Sequence, residues 1–286
     1  MNQTIGIAGL GLIGGSLAKA IKTKTDCRVL GCDIRGDVID QALEQGAIDG
    51  ELSQAALAQC DIIIAALYPD AVITWCEKNF AHMRAGAIIV DCVGVKTRIC
   101  EMLPSLARAH GLRFVGGHPM AGVERSGFAN STGALFENAT MVLCEDGADP
   151  AALEELRPFF LSLGFGSIKL TTAREHDEVI AYTSHLTHLA ANAFIRSGTA
   201  KKRHGFSAGS FRDLTRVAKL SEDMWTALFF ENRENLLREA DAFIENMCRY
   251  RDALASSNCE AMRELLKGGT ALKIADEEEE EAWRRR

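Results

Sequence analysis

Short apolar runs recur through the first half of the chain, separated by segments long enough to form helices. Thr4–Ala8, Arg28–Cys32 and residues 61–66, 87–91, 113–115 and 139–143 are too short for helices, and their apolar character is nearly continuous. Such runs predict strands of a parallel sheet covered on both faces, with the intervening segments as crossover helices. Beyond about residue 169 no further strand is legible, and helical periodicity takes over across residues 176–196 and from 221 to about 254. Ala181, Leu186, Leu189, Ala190, Ala193 and Phe194 mark one apolar helix face, and the glycine-containing segment 197–210 interrupts the run.

Between the first strand and a helical run at 16–21 stands Gly9-Leu10-Gly11-Leu12-Ile13-Gly14. In that setting the G-x-G-x-x-G spacing predicts a dinucleotide site. Gly9 permits the tight turn, Gly11 lets a pyrophosphate approach, and Gly14 lets helix and strand pack closely. The phosphates then lie at the helix amino terminus, against the N–H groups that begin at Leu12 and Ile13. Asp33 ends the second strand about twenty residues on, where an acidic side chain grips a ribose hydroxyl. Its carboxylate repels a 2′-phosphate and favours NAD over NADP. Arg35 could reach such a phosphate if the loop turned, but an ordinary solvated side chain is the simpler expectation.

The fold these elements predict is α/β: an amino-terminal Rossmann-type, doubly wound and mostly parallel sheet over residues 1–169, followed by an all-helical dimerisation domain over 170–286. Extensive apolar helices on a modest domain suggest an interface with a second copy. Residues 276–281, with Ala282, Trp283 and three arginines after them, read as a solvated or weakly helical tail.

In doubly wound sheets ligands bind beyond the carboxyl ends of the strands. Tyr68-Pro69-Asp70, residues 92–96 and residues 116–122 each follow a strand and should converge on the nicotinamide end. The last holds Gly116-Gly117-His118-Pro119-Met120-Ala121-Gly122. Glycines on both sides would let backbone approach a ligand, Pro119 stiffens the turn, and Glu124 is close enough to share the pocket. His118 is therefore the candidate catalytic base.

Charge narrows the ligand. A net charge of −7 and an isoelectric point near 5.6 argue against broad binding to nucleic acid or anionic membranes, and point to a small molecule. No apolar run has the length of a membrane span, and the first residues form a strand instead of a basic leader, so a cytoplasmic protein is expected. Nine cysteines lie scattered without metal-ligand spacing, as reduced and mostly buried thiols would.

Two constellations mark the helical half. Ser184-His185-Leu186-Thr187-His188 sets two histidines on one side of a helix, a spacing open to metal ligation, though pocket lining or packing is the simpler expectation. Arg212 and Arg216, four apart with Trp225 beyond, can face one anion, and a guanidinium suits a carboxylate. An internal ion pair, for instance with Asp213, is the equal alternative.

Together the glycine turn with Gly15-Ser16, the Gly117–Gly122 block, the Ser184–His188 segment and Phe211-Arg212-Asp213-Leu214-Thr215-Arg216 resemble the prephenate/arogenate dehydrogenase family, in order and across nearly the whole chain. The glycine turn is common to many dehydrogenases; the histidine block combined with the arginine segment is far more specific. The resemblance implies a dimeric NAD(P)-dependent enzyme that oxidatively decarboxylates prephenate to 4-hydroxyphenylpyruvate or arogenate to tyrosine. It implies that His118 accepts the ring hydroxyl proton, that Arg216 binds a substrate carboxylate, and that Glu124, Ser184, His188 and Trp225 line or gate the pocket. One departure stands out: many members carry D-x-G-S-V-K after the fourth long strand, where this chain has Asp91-Cys92-Val93-Gly94-Val95-Lys96. Gly94, on the coenzyme side of the pocket, thus replaces a serine that helps hold the catalytic histidine. Another two-domain hydroxy-acid dehydrogenase, with its base on the helical domain, and a silent NAD-binding sensor remain as rivals.

Overall fold

A computed structural model describes residues 3–123 and 125–284. Eight strands form one sheet in the order β3-β2-β1-β4-β5-β6-β7-β8. They are β1 (Thr4–Ala8), β2 (Arg28–Cys32), β3 (Gly50–Glu51), β4 (Ile62–Ala65), β5 (Ile88–Asp91), β6 (Arg113–Pro119), β7 (Thr140–Cys144) and β8 (Ser167–Thr171). Helices α1 (Leu12–Lys24), α2 (Gly36–Glu44), α3 (Pro69–Asn79), α4 (Thr97–Ala109) and α5 (Pro150–Ser162) connect them. Successive residues of the central strands feed opposite cores: Ile62, Ile64, Ile88 and Val90 pack with α1 and α5, whereas Ile63 and Ile89 pack with α3 and α4. Period-two alternation between two apolar layers is what a sheet covered on both faces demands.

The sheet is mostly parallel as expected, with only β6 and β7 antiparallel. Several other predicted elements are corrected. β3 and β8 carry too little apolar patterning to stand out in the sequence. α1 begins at Leu12, directly on the glycine turn, and not at 16. The strand expected to end at 115 continues to Pro119, which places Gly116, Gly117 and His118 on a strand and not in a loop beyond it.

After β8 the chain is helical, with α6 (Ala173–Ile180), a π-helical turn (Ala181–Leu186), α7 (Thr187–Ile195), α8 (Gly209–Thr215), α9 (Glu222–Glu231), α10 (Arg233–Ala255) and α11 (Cys259–Arg284). The run expected from 221 to 254 is broken at Asn232, and the acidic tail is the end of α11, a regular helix. Of the predicted apolar face, Ala181 and Leu186 are buried, whereas Leu189 and Phe194 are exposed in the single chain. None of the described helices is long and apolar enough to cross a membrane.

The chain divides into two compact units, Met1–Asn235 and Leu236–Arg286. The first holds the sheet and the helices through α9. The second is a helical hairpin whose α10 and α11 meet at Tyr250 and Leu265, and which leaves Leu237, Phe243, Ile244 and Met247 exposed.

Candidate active site

The coenzyme end forms where β1 turns into α1. Gly9 has φ +89°, and a Cβ there would lie 2.4 Å from the Ala66 carbonyl oxygen. On Gly14 it would lie 1.8 Å from the Gly9 carbonyl oxygen, so the turn itself excludes any larger residue at either place. Gly11 differs, because nothing stands within 4 Å of its would-be Cβ, and as N-cap of α1 it provides no side-chain hydrogen bond. The first N–H groups of α1, those of Leu12, Ile13 and Gly14, thus lack a side-chain cap and carry the partial positive charge that holds a pyrophosphate.

Asp33 is fixed beside this turn. Its Oδ2 accepts the Leu10 N–H at 2.9 Å and its Oδ1 the Arg35 N–H at 3.0 Å. The Arg35 guanidinium turns to Asp37 in a two-point contact, 3.1 and 2.5 Å, and not to Asp33. An open glycine, an uncapped helix terminus and an anchored acid together fit a dinucleotide without a 2′-phosphate.

The catalytic end forms where β6 changes partners. Residues 113–115 pair with β5, and residues 116–119 pair with β7, with His118 opposite Val142. At Gly117 the ladder toward β5 has ended, and side chains replace it: the Gly117 N–H donates to Asp91 Oδ1 at 3.1 Å, and Lys96 Nζ donates to the Gly117 carbonyl at 2.7 Å. Lys96 also contacts Asp91 directly, and both are fully buried. Burial disfavours the Lys96 cation, but the charge and hydrogen bond of Asp91 together with the neighbouring Cys100 and Cys144 raise the lysine above its ordinary value. Gly116 and Gly117 press against Cys100 Sγ, the Asp91 carbonyl and Met141, so they serve protein packing and not approach to a ligand as expected.

His118 is half-buried, and its Nδ1 lies 2.9 Å from His176 Nε2. His176 Nδ1 in turn lies 2.8 Å from Asp177 Oδ1. Asp177 also accepts the Lys96 N–H at 2.7 Å and the Thr97 N–H at 2.8 Å. Burial opposes its ionisation, but the hydrogen bonds from His176, Thr97 and Lys96 hold it below the usual carboxylate range. An ionised carboxylate only accepts, so the proton between these two residues sits on His176 Nδ1. His176 Nε2 is then the acceptor for His118 Nδ1–H, and His118 Nε2 is left with its lone pair. Burial, and after it the proximity of His176, Lys96 and His185, pushes His118 well below the ordinary histidine value, which keeps the imidazole neutral.

Gly94 fronts that lone pair. A Cβ added there would lie 3.8 Å from His118 Nε2 and 3.5 Å from Leu228 Cδ2, ordinary contact distances. The histidine is therefore steadied from its Nδ1 side by His176, and a small side chain at position 94 would meet Nε2 only at contact distance.

The helical wall gathers three further candidates. His188 lies tilted by 30° against Trp225 with ring centroids 4.0 Å apart, and its Nδ1 lies 2.8 Å from the Ser184 carbonyl oxygen. His185 faces inward to Asn232, Trp225 and Phe229, and burial lowers it to about 4. Among the described residues no three His, Cys, Asp or Glu side chains cluster as a metal site would need. α8 ends at Thr215, so Arg216 stands exposed at the end of that helix and not within it. α8 packs on α7, with Phe211 near Phe194. Glu124 lies outside the described residues. His176, Asp177 and Asn232 do not stand out in the sequence, where the one signal is a His-Asp pair within the amphipathic α6.

The amino-terminal half, residues 17–170, matches the family model for the prephenate dehydrogenase nucleotide-binding domain, and residues 172–268 match that for its dimerization domain. A prephenate dehydrogenase of Lactococcus lactis is 34% identical over 280 residues, covering 95% of this chain and 77% of that protein. The structure of a prephenate dehydrogenase from A. aeolicus, in complex with hydroxyphenyl propionate and NAD+, superposes with a TM-score of 0.85 at 26% identity, covering 96% of this chain and 98% of that one. An arogenate dehydrogenase from Synechocystis superposes with a TM-score of 0.78 at 27% identity, covering 95% and 99%.

Proposed function

This chain belongs to the prephenate dehydrogenase family, and from that premise we propose that it catalyses the NAD-dependent oxidative decarboxylation of prephenate to 4-hydroxyphenylpyruvate, or of arogenate to tyrosine. The observation that carries the proposal is the Asp177–His176–His118 chain, which leaves the Nε2 lone pair of His118 beside Gly94. NAD, when bound, accepts a hydride from the ring carbon that bears the hydroxyl. His118 Nε2 takes that hydroxyl's proton as the carbon becomes a carbonyl carbon, and the ring carboxylate leaves as carbon dioxide. The electron pair of the broken C–C bond enters the ring, the carbonyl oxygen regains a proton, and aromatisation makes the sum effectively irreversible. A positioned base contributes about 10²- to 10⁴-fold to such a step.

The remaining assignments are part of the same proposal. Backbone around Gly9, Gly11, Leu12, Ile13 and Gly14 holds the pyrophosphate and Asp33 the ribose. Arg35, engaged by Asp37, stays outside the site, and Gly94 borders the nicotinamide end of the pocket. Arg216 binds a substrate carboxylate, and Ser184, His188 and Trp225, with Glu124, line the pocket. Residues 1–169 and 170–286 act as the coenzyme and dimerisation domains of a cytoplasmic homodimer, in which a second copy covers exposed apolar side chains such as Phe243, Ile244 and Met247.

Purified protein incubated with NAD and either prephenate or arogenate should form NADH and the corresponding aromatic product. Turnover of neither compound would remove the proposed activity. His118→Asn should lower kcat at least about 100-fold, and undiminished activity in that variant would remove the proposed base.

A further inference from the structure

The glycine turn carries one glycine more than a dinucleotide site uses. Gly9, Gly11 and Gly14 complete the turn, yet Gly15 follows inside α1, where glycine is unfavourable. Its neighbour explains it. A Cβ on Gly15 would lie 2.6 Å from Phe128 Cδ2 and 2.9 Å from Ser131 Oγ. Phe128 opens a short 3-10 turn, Phe128–Asn130, and is 2% exposed within the core that includes Leu17 and Ile21 of α1.

Three more contacts fasten the same place. The Lys19 ammonium lies 4.4 Å from the centre of the Phe128 ring and donates to the Ser131 carbonyl at 3.1 Å. The buried Ser16 hydroxyl accepts the Thr132 N–H at 3.0 Å. The other end of this loop leaves β6 directly after His118-Pro119 and is held by the Met120 N–H on the Thr140 carbonyl at 2.9 Å. Between these anchors Gly122, Val123 and Gly127 are exposed. The segment is a strap from the strand of the catalytic histidine to the coenzyme helix.

We infer that Phe128, seated on Gly15, is a positioning residue for the substrate: it latches the strap to α1, so that the substrate wall next to His118 is set from the coenzyme helix. The anchors lie at Gly15, Ser16 and Lys19, beyond the uncapped N–H groups that face the pyrophosphate. Loss of the latch should therefore reach the substrate and spare the coenzyme. The inference rests on the dehydrogenase activity proposed above, and one arm of its test does not.

Phe128→Ala should raise the substrate KM at least about ten-fold, while kcat and the Kd for NADH, followed by nucleotide fluorescence, change less than about three-fold. Gly15→Ala displaces the ring without deleting it and should reproduce that split. Combining Gly15→Ala with Phe128→Leu, which makes room for the added methyl, should recover most of the substrate KM, a coupling that general destabilisation does not produce. In both single variants amide hydrogen exchange across residues 120–127 should accelerate while β7 stays protected. Substrate KM within about two-fold in both variants, or NADH Kd rising in parallel with it, would overturn the latch. Unchanged exchange in the strap would overturn it too, even if wild-type protein turned over neither compound and the proposed activity had failed.

Discussion

His118 Nδ1 and His176 Nε2 meet at 2.9 Å, and the direction of the proton between them is dictated one residue further on, by the Asp177 carboxylate at 2.8 Å from His176 Nδ1. Asp177→Asn keeps the volume, but with its amide nitrogen in the Oδ1 position it gives up the Lys96 N–H and donates to His176 where the carboxylate accepted. His176 would then carry its proton on Nε2, His118 would have to accept it, and the lone pair would face inward. We expect kcat to fall about 100-fold or more, with little change in NAD affinity, since a misdirected tautomer can cost as much as the base itself. Kinetics alongside a coenzyme titration check this, and kcat within about three-fold of wild type would show that the proton order does not matter.

The pH dependence follows from the same geometry. The proposed mechanism needs neutral His118, and burial, with His176 and Lys96 close by, moves its protonation well below 6.5. Activity should thus be complete at pH 6.5, and its acid limb should lie below that value, not at it. A kcat/KM profile from pH 4.5 to 8.5 reads this directly. An acid limb centred at or above 6.5 would contradict the buried environment of the base.

Lys96 and Asp91 extend the sheet by side chains where β6 parts from β5, and they clamp both polar groups of Gly117. Lys96→Met leaves Asp91 buried without its cation and should cost about 3 to 5 kcal/mol of folding stability, measurable by urea denaturation. It also removes a positive charge that depresses His118, so in the folded fraction the acid limb should move up toward 6.5. Adding Asp91→Asn should recover part of the stability, and no recovery would mean that the pair is not the unit described.

How much of this was legible in the sequence depends on how local each cause is. The glycine turn and Asp33 are fixed by short-range chemistry, a tight turn and a strand end, and stand where the chain order implied, whereas His118 lies on the extended β6 and not in the loop expected after it. The reversal of β7 was not visible, because periodicity reports burial and not strand direction. Nor was the proton chain. His176 and Asp177 acquire their roles only when α6 packs beside the loop of Lys96 and Thr97, a contact across 80 residues of sequence. β8 escaped because its pattern, with Lys169 exposed between Ile168 and Leu170, is too mixed over five residues to separate from a loop.

Arg216 stands at the end of α8, where its charge also complements the helix dipole. Arg216→Ala should raise the substrate KM with kcat much less affected, by about 2 to 5 kcal/mol if the carboxylate pair is desolvated on binding. Arg216→Lys should restore only part of this, because an ammonium cannot offer the two parallel bonds of a guanidinium. Equal kinetics for all three proteins would move the anion site elsewhere.

Gly94 is the position at which this chain parts from the serine expected in its loop, and the structure gives glycine no backbone or packing reason to be there. A Cβ would meet only Leu228 Cδ2 at 3.5 Å and the His118 ring at 3.8 Å. Gly94→Ser should fold with stability within about 0.5 kcal/mol of wild type and place a hydroxyl beside Nε2. Because His176 already orients the ring, the serine should change kcat by less than about ten-fold in either direction. Gly94→Val differs in kind, since its branched methyls must enter the space beside His118 Nε2 at the nicotinamide end, and it should abolish turnover and weaken NADH binding. Comparison of the two variants by steady-state kinetics and coenzyme fluorescence separates the reasons. If serine were as damaging as valine, the open volume before His118, and not its orientation, would be the property that this chain depends on.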